Sequence, residues 1–357
     1  MPFNGYHDRH PDWRKPPFPY KVGAKIQVRA HKPPSLSPMR WPIDSKDVAE
    51  WEDFSPLERC LKHPPPPGTY DKGSASLEIL ESIYAADEKN AQLVLVRVRP
   101  GAKEDVSGGK LPSSLPPEST LVAKFYDPLY YDHDQHDSDP FKNVNSSYLF
   151  EVGAYTRLSN MQGTAIPKFY GSFTTSFPVP IEGMEEGIEE GQTREVRLIL
   201  MEFIRGSRML DANPQDYTQQ QRQDIMGSVV DADTTIYAND IMLLDLYPRN
   251  VMLPQDNQTC KAAPGSTQSP SRSQTRPAVL IDFDTVHLGR NSPGRLSLMG
   301  EQYYMPGTVI SPILRWAQPR KYNRFAAWVD WNWEEWIAER YARDKPTITE
   351  EMKKIWG

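Results

Sequence analysis

Two short apolar runs, each ending in acids, constrain this chain more than any other feature. IMLLDLYPRNVML, Ile241 to Leu253, puts Asp245 five residues before Asn250 and follows both with an apolar stretch. AVLIDFDTV carries Asp282 and Asp284 at the end of a run that reads as a buried β-strand. Tyr247-Pro248 commits the first run to a turn, because the residue before proline is biased away from helix. NVML and AVLI would form a hairpin directly but for Gln255 to Pro277, a polar low-complexity insert that reads as disordered. Extra loop length costs little closure entropy, so the hairpin survives it. An acid and an amide on one turn, facing an acid on a neighbouring strand end, meet the needs of phosphoryl transfer from ATP. One acid orients or deprotonates the acceptor hydroxyl; the amide and the other acid hold Mg²⁺ against the phosphates.

The residues also carry a family resemblance. DLYPRN resembles the D-x-x-x-x-N of the protein-kinase catalytic loop, and IDFD resembles its D-F-G. Together they are similar to the protein-kinase-like superfamily, nearest to the short, divergent kinase-like proteins of fungi. The resemblance spans residues 70 to 340. It implies an α+β, two-lobed kinase-like fold: a small antiparallel-sheet lobe with one helix, then a mainly helical large lobe with a shortened C-terminus. The expected divisions are a proline-rich, mostly extended or disordered tail over 1–67, the small lobe over 68–204, the large lobe over 205–345 with the 255–277 insert, and a tail over 346–357.

By the same resemblance Asp245 is the catalytic acid/base, and Asn250 and Asp282 are Mg²⁺ ligands. Asp284 stands where the family has glycine and would assist a second Mg²⁺. LVAK resembles the third-strand motif whose lysine, here Lys124, neutralises the α- and β-phosphates, with Val122 beside the adenine. Glu151, in the helical pattern SSYLFEVGAYTRLSNM, would pair with that lysine, and Tyr155 follows it as in the fungal E-x-x-x-Y. In LILMEFIRG, Met201 would gate the back pocket, and the main chain of Glu202 and Ile204 would bond adenine. The chain departs from the pattern in several places. No glycine lies between Tyr84 and Leu93, Leu243 replaces the usual histidine, and no A-P-E follows Asp284. The implied activity is ATP- and Mg²⁺-dependent transfer of the γ-phosphate to a hydroxyl acceptor. The alternatives are a pseudokinase scaffold, or a small-molecule kinase similar to choline and aminoglycoside kinases.

Independently of any resemblance, SLEILESIY, AQLVLVRVR, STLVAKFYD, KFYGSFTT and VRLILMEFI read as five strands. Thr218 to Gln221 is a capping box, and Ile225, Val229, Ala232 and Ile236 form one helical face after it. Within the tail, Ser55, Pro56 and Glu58 predict one short capped helix. His7 and His10 read as tail residues, and Asp132 to Asp139 as a solvated acidic loop. Trp328, Trp331, Trp333 and Trp336 read as locking a C-terminal helix by packing. The 34 prolines and 38% apolar content imply that part of the chain is unpacked, and a net charge of −6 argues against a dedicated nucleic-acid binder. Cys60 and Cys260 make neither a metal site nor a disulfide framework, which points to a reducing compartment. No signal-like or membrane-spanning run is apparent, so the expectation is a cytoplasmic or nuclear protein whose one implied partner is a nucleotide.

Overall fold

A computed structural model describes residues 15–34, 50, 53–100, 111–133, 139–179, 191–255, 277–289, 305, 307–317 and 319–356. His7, His10, Asp134, His136, Asp137, Cys260 and most of the expected 255–277 insert lie outside these residues. The chain divides into two compact units: Met1–Gly153 with Phe169–Phe203, and Ala154–Lys168 with Ile204–Gly357.

The first unit is built on a closed barrel. Its strands are β1 (Lys25–Lys32), β2 (Thr69–Tyr84), β3 (Gln92–Pro100), β4 (Thr120–Tyr126), β5 (Phe169–Pro178) and β6 (Thr193–Glu202). Neighbours run β1-β2-β3-β4-β6-β5, and β1 closes the ring by pairing with β5 through Arg29 to His31. Every pair is antiparallel. Side chains alternate across a strand. Leu121, Ala123 and Phe125 of β4 therefore join Val94, Val96 and Val98 of β3 in one buried cluster. Val122, Lys124 and Tyr126 take the opposite face. Two helices belong to this unit: α1 (Pro56–Lys62), with the expected capping box at Ser55 and Glu58, and most of α2 (Pro140–Arg157).

The second unit mixes strand and helix. β7 (Gly206–Arg208), β9 (Val251–Pro254) and β10 (Val279–Leu280) form one sheet; β8 (Ile241–Leu243) and β11 (Val286–Leu288) form another. Its long helix is α3 (Gln219–Ala238), which buries the expected face Ile225, Val229, Ala232 and Ile236. The remaining helices, α4 (Pro312–Arg315), α5 (Pro319–Tyr322), α6 (Trp333–Arg340) and α7 (Glu350–Trp356), are short. Asp233 of α3 is buried and accepts from Trp316 Nε1 at 2.9 Å, Lys321 Nζ at 2.8 Å and Arg315 Nη2 at 2.9 Å. Burial alone would raise its pKa, but Arg315 and Lys321 outweigh that and hold it at about 2. At Gly206 (φ +155°) an added Cβ would lie 2.1 Å from the Leu253 carbonyl oxygen, so only glycine lets β7 approach β9 this closely.

This architecture overturns the expected two-lobed kinase-like fold. The expectation is a small antiparallel sheet of five strands; the sheet is a closed six-stranded barrel. The sixth strand comes from the segment read as an extended or disordered tail. KIQVRAHK alternates, burying Ile26, Val28 and His31, and its flanking prolines fall outside the ladder. In place of a mainly helical large lobe, the second unit holds two small sheets among mostly short helices. The acidic loop also differs where it is described. Asp139 is buried and paired with Arg59, and His133 donates from Nε2 to the Pro128 carbonyl at 2.8 Å. The tryptophan-rich segment breaks in two: a 3₁₀ turn at Asn323–Trp328 precedes α6, which Asn332 caps, and Trp328 and Trp333 are buried. No helix among the described residues is long and apolar enough to cross a membrane.

Candidate functional site

In the first unit, β4 and α2 bring Lys124 and Glu151 together. Lys124 Nζ lies 2.7 Å from Glu151 Oε2, with side-chain exposures of 4% and 0%. Tyr126, on the same face of β4, donates its hydroxyl to that oxygen at 2.6 Å. Sequence reading missed Tyr126, although the strand period of two places it beside Lys124. A second polar chain ties α2 to the barrel: the Tyr148 hydroxyl meets Ser172 Oγ of β5 at 2.6 Å and His31 Nδ1 of β1 at 3.0 Å. Val122 and Met201 face one another across the β4–β6 ladder, and both are buried. Glu202, at the end of β6, is partly exposed.

In the second unit the acid-bearing turns lie side by side, held at both ends by backbone hydrogen bonds. Leu244 N–H donates to the Thr285 carbonyl at 3.2 Å, and Ile281 N–H donates to the Asn250 carbonyl at 3.0 Å. The β9–β10 register, Val251 opposite Leu280, and the β8–β11 register, Leu243 opposite Val286, extend that alignment. The hairpin expected of NVML and AVLI is therefore present. Asp245 and Asn250 thus sit on one turn beside the turn that carries Asp282 and Asp284.

The first turn is internally bonded. Asn250 Nδ2 donates to the Asp245 backbone carbonyl and to Asp245 Oδ2, both at 2.8 Å. That fixes the carboxamide, with Oδ1 as its acceptor end. Asp245 Oδ1 accepts from Arg249 Nη2 in a pair whose side chains are 28% and 47% exposed. On the second turn Asp282 adopts φ +67°, a left-handed conformation that non-glycine residues rarely hold. Phe283 is buried with its ring 5.3 Å from that of Tyr155. Asp284 Oδ1 accepts from the Thr285 hydroxyl at 2.8 Å.

One neighbour of the first turn was not foreseen. Arg324, from the 3₁₀ turn at Asn323–Trp328, donates to the Leu246 carbonyl at 3.3 Å and lies 4.2 Å over the Tyr247 ring. Arg249 lies 4.4 Å over the same ring. Arg324 is too distant in sequence for any spacing argument to link it with Tyr247. Ile204 is buried in this unit. A cavity of about 470 Å³ beside α3, lined by Met161, Asp224, Asp231 and Arg340, contains none of these residues.

Compared with known proteins, the chain matches no protein-family model and no curated protein. Together with the closed barrel, this removes the support that DLYPRN and IDFD lent to a protein-kinase-like relationship.

Proposed function

We propose that the paired turns of the second unit transfer the γ-phosphoryl group of ATP, with Mg²⁺, to an alcohol. The observation that carries this reading is the double donation of Asn250 Nδ2 to Asp245. It orients the candidate base and leaves a carboxamide oxygen beside the Asp282 turn. Asn250 Oδ1 and the carboxylates of Asp282 and Asp284 are hard oxygen donors of the kind Mg²⁺ takes. Those three residues would hold the ion, which supplies charge neutralisation at the phosphate oxygens. Asp245 accepts the proton of the acceptor hydroxyl. The hydroxyl oxygen forms its bond to the γ-phosphorus as the bond to the bridging oxygen breaks, and ADP leaves with that electron pair.

A second reading, a nucleotide-binding or scaffold protein without turnover, is favoured by the Arg249 pair. Arg249 occupies Asp245 Oδ1, the oxygen an acceptor hydroxyl would need.

A thermal-shift titration tests the first reading. ATP with Mg²⁺ at 100 times its dissociation constant is expected to stabilise the protein by about 2.7 kcal/mol. Asp282→Asn should remove the Mg²⁺-dependent share of that gain. No rise with ATP in the wild type, with or without metal, would contradict the transfer reading and leave the scaffold standing.

A further inference from the structure

Arg249, Arg324 and Tyr247 around the Asp245 turn have no function in the transfer step as written. Two guanidinium groups lie over one tyrosine ring, at 4.4 Å and 4.2 Å, within the same few residues as the candidate base. Arg324 is partly exposed and spends one donor on a carbonyl, which carries no formal charge. Asp245 is the carboxylate paired with Arg249. Two guanidiniums thus meet at a turn whose own carboxylate is Asp245, beside the turn that carries Asp282 and Asp284, and the Arg249–Asp245 pair is exposed to water.

We infer that the acceptor is an anionic alcohol, a molecule whose reacting hydroxyl sits near a carboxylate or phosphate of its own. This rests on the phosphoryl-transfer reading and names its substrate class. Arg249 holds Oδ1 and Asn250 holds Oδ2, so both carboxylate oxygens of Asp245 are already engaged. A neutral alcohol offers Arg249 nothing in return. An anionic group does, because a guanidinium binds carboxylate or phosphate through paired N–H donors. Arg249 then transfers from Asp245 to the substrate, with Arg324 beside it as the second donor. An exposed pair is weak enough to be exchanged in this way. Tyr247 keeps both guanidiniums in place through stacking, so their approach to the ligand needs little further ordering. The acceptor thus uncovers the base that deprotonates it, and the arginines are positioning residues.

The test uses the full chain with three probes of similar size: glycerate, glycerol 3-phosphate and glycerol. Binding is read by calorimetry, and ATP consumption is read separately on the same samples. Both anions are expected to bind at least tenfold more tightly than glycerol. Arg324→Gln should cancel most of that preference, and Arg324→Lys should restore part of it. A purely structural role for Arg324 would not move the ratio of anion to neutral affinity. Preference for phosphate alone or carboxylate alone identifies which anion the acceptor carries. Equal affinity for glycerol and the anions, absent anion binding, or an unchanged ratio in Arg324→Gln would overturn the inference. Anion binding that depends on Arg324 without any ATP consumption would instead leave this inference standing and remove the transfer reading.

Discussion

The two units each hold an acid–cation pair among the candidate residues, and the pairs are unlike. Lys124 and Glu151 meet at 2.7 Å with almost no exposure, and Tyr126 adds a hydroxyl to the same oxygen. Asp245 and Arg249 meet across one turn with 28% and 47% of their side chains exposed. Removing one partner of the first pair strands a charge away from water. Removing one partner of the second leaves the other hydrated. The buried pair fixes α2 against β4 within its unit. The exposed pair is replaceable, which the proposed exchange requires.

Lys124→Met is expected to be the most damaging of these substitutions. It leaves Glu151 buried without its cation, and the expected loss is about 3–5 kcal/mol in urea denaturation. Adding Glu151→Leu should recover most of it, since two apolar side chains tolerate that site better than a buried carboxylate that has lost its lysine. A loss below about 1 kcal/mol for Lys124→Met would mean that the pair does not anchor the helix.

Acid should separate the units next. Burial lowers the pKa of His31 from 6.5 to about 4, with Arg197 adding to the effect. Burial likewise lowers that of His133 to about 3. Both histidines lie in the barrel unit and fold as neutral rings, so the unfolded chain binds their protons first. Their contribution is intact above pH 6.5 and falls as pH drops toward 4 and 3, by at most about 1.4 kcal/mol per histidine per pH unit. In the second unit Asp233, at about 2 against 3.8, keeps its contribution down to about pH 4 and loses it only below that. Hydrogen exchange between pH 6.5 and 4.5 should therefore show protection falling in β2, β3 and β4 before it falls in α3. The reverse order would contradict the assignment of acid sensitivity to the barrel.

Arg249→Ala gives the smallest effect. An exposed pair of this kind is worth about 0.2–1 kcal/mol, so the melting temperature should barely change. A loss approaching that of Lys124→Met would show that the exposed pair is structural after all.

Much of the secondary structure was legible, and the architecture was not. Five of the barrel strands and α3 read correctly because their apolar periods are long and uninterrupted. β1 is hard to read because the fourteen prolines of residues 1–67 weigh against a strand and only the local alternation in KIQVRAHK argues for one; that alternation is the usable signal. Closure of the barrel depends on β1 meeting β5 across more than a hundred residues, which no local pattern encodes. At the candidate site, the hairpin pairing of NVML and AVLI was readable from apolar runs, whereas the Arg324–Tyr247 contact was not. Four residues with acid or amide groups were identified by type, but the hydrogen bonds that tie Asn250 to Asp245 are set by the turn geometry. Motif order also misled: DLYPRN and IDFD fit a known pattern that the barrel does not share.

The most direct test of the central claim is ATP affinity beside ATP turnover in Asp245→Asn. The substitution keeps the side-chain shape and leaves Asn250, Asp282 and Asp284 in place, so Mg²⁺-dependent ATP affinity should match the wild type. Turnover with an accepted alcohol should fall about 10²–10⁴-fold, as expected when a positioned base is lost. Full turnover in Asp245→Asn would contradict the account, because the paired turns would then hold no base.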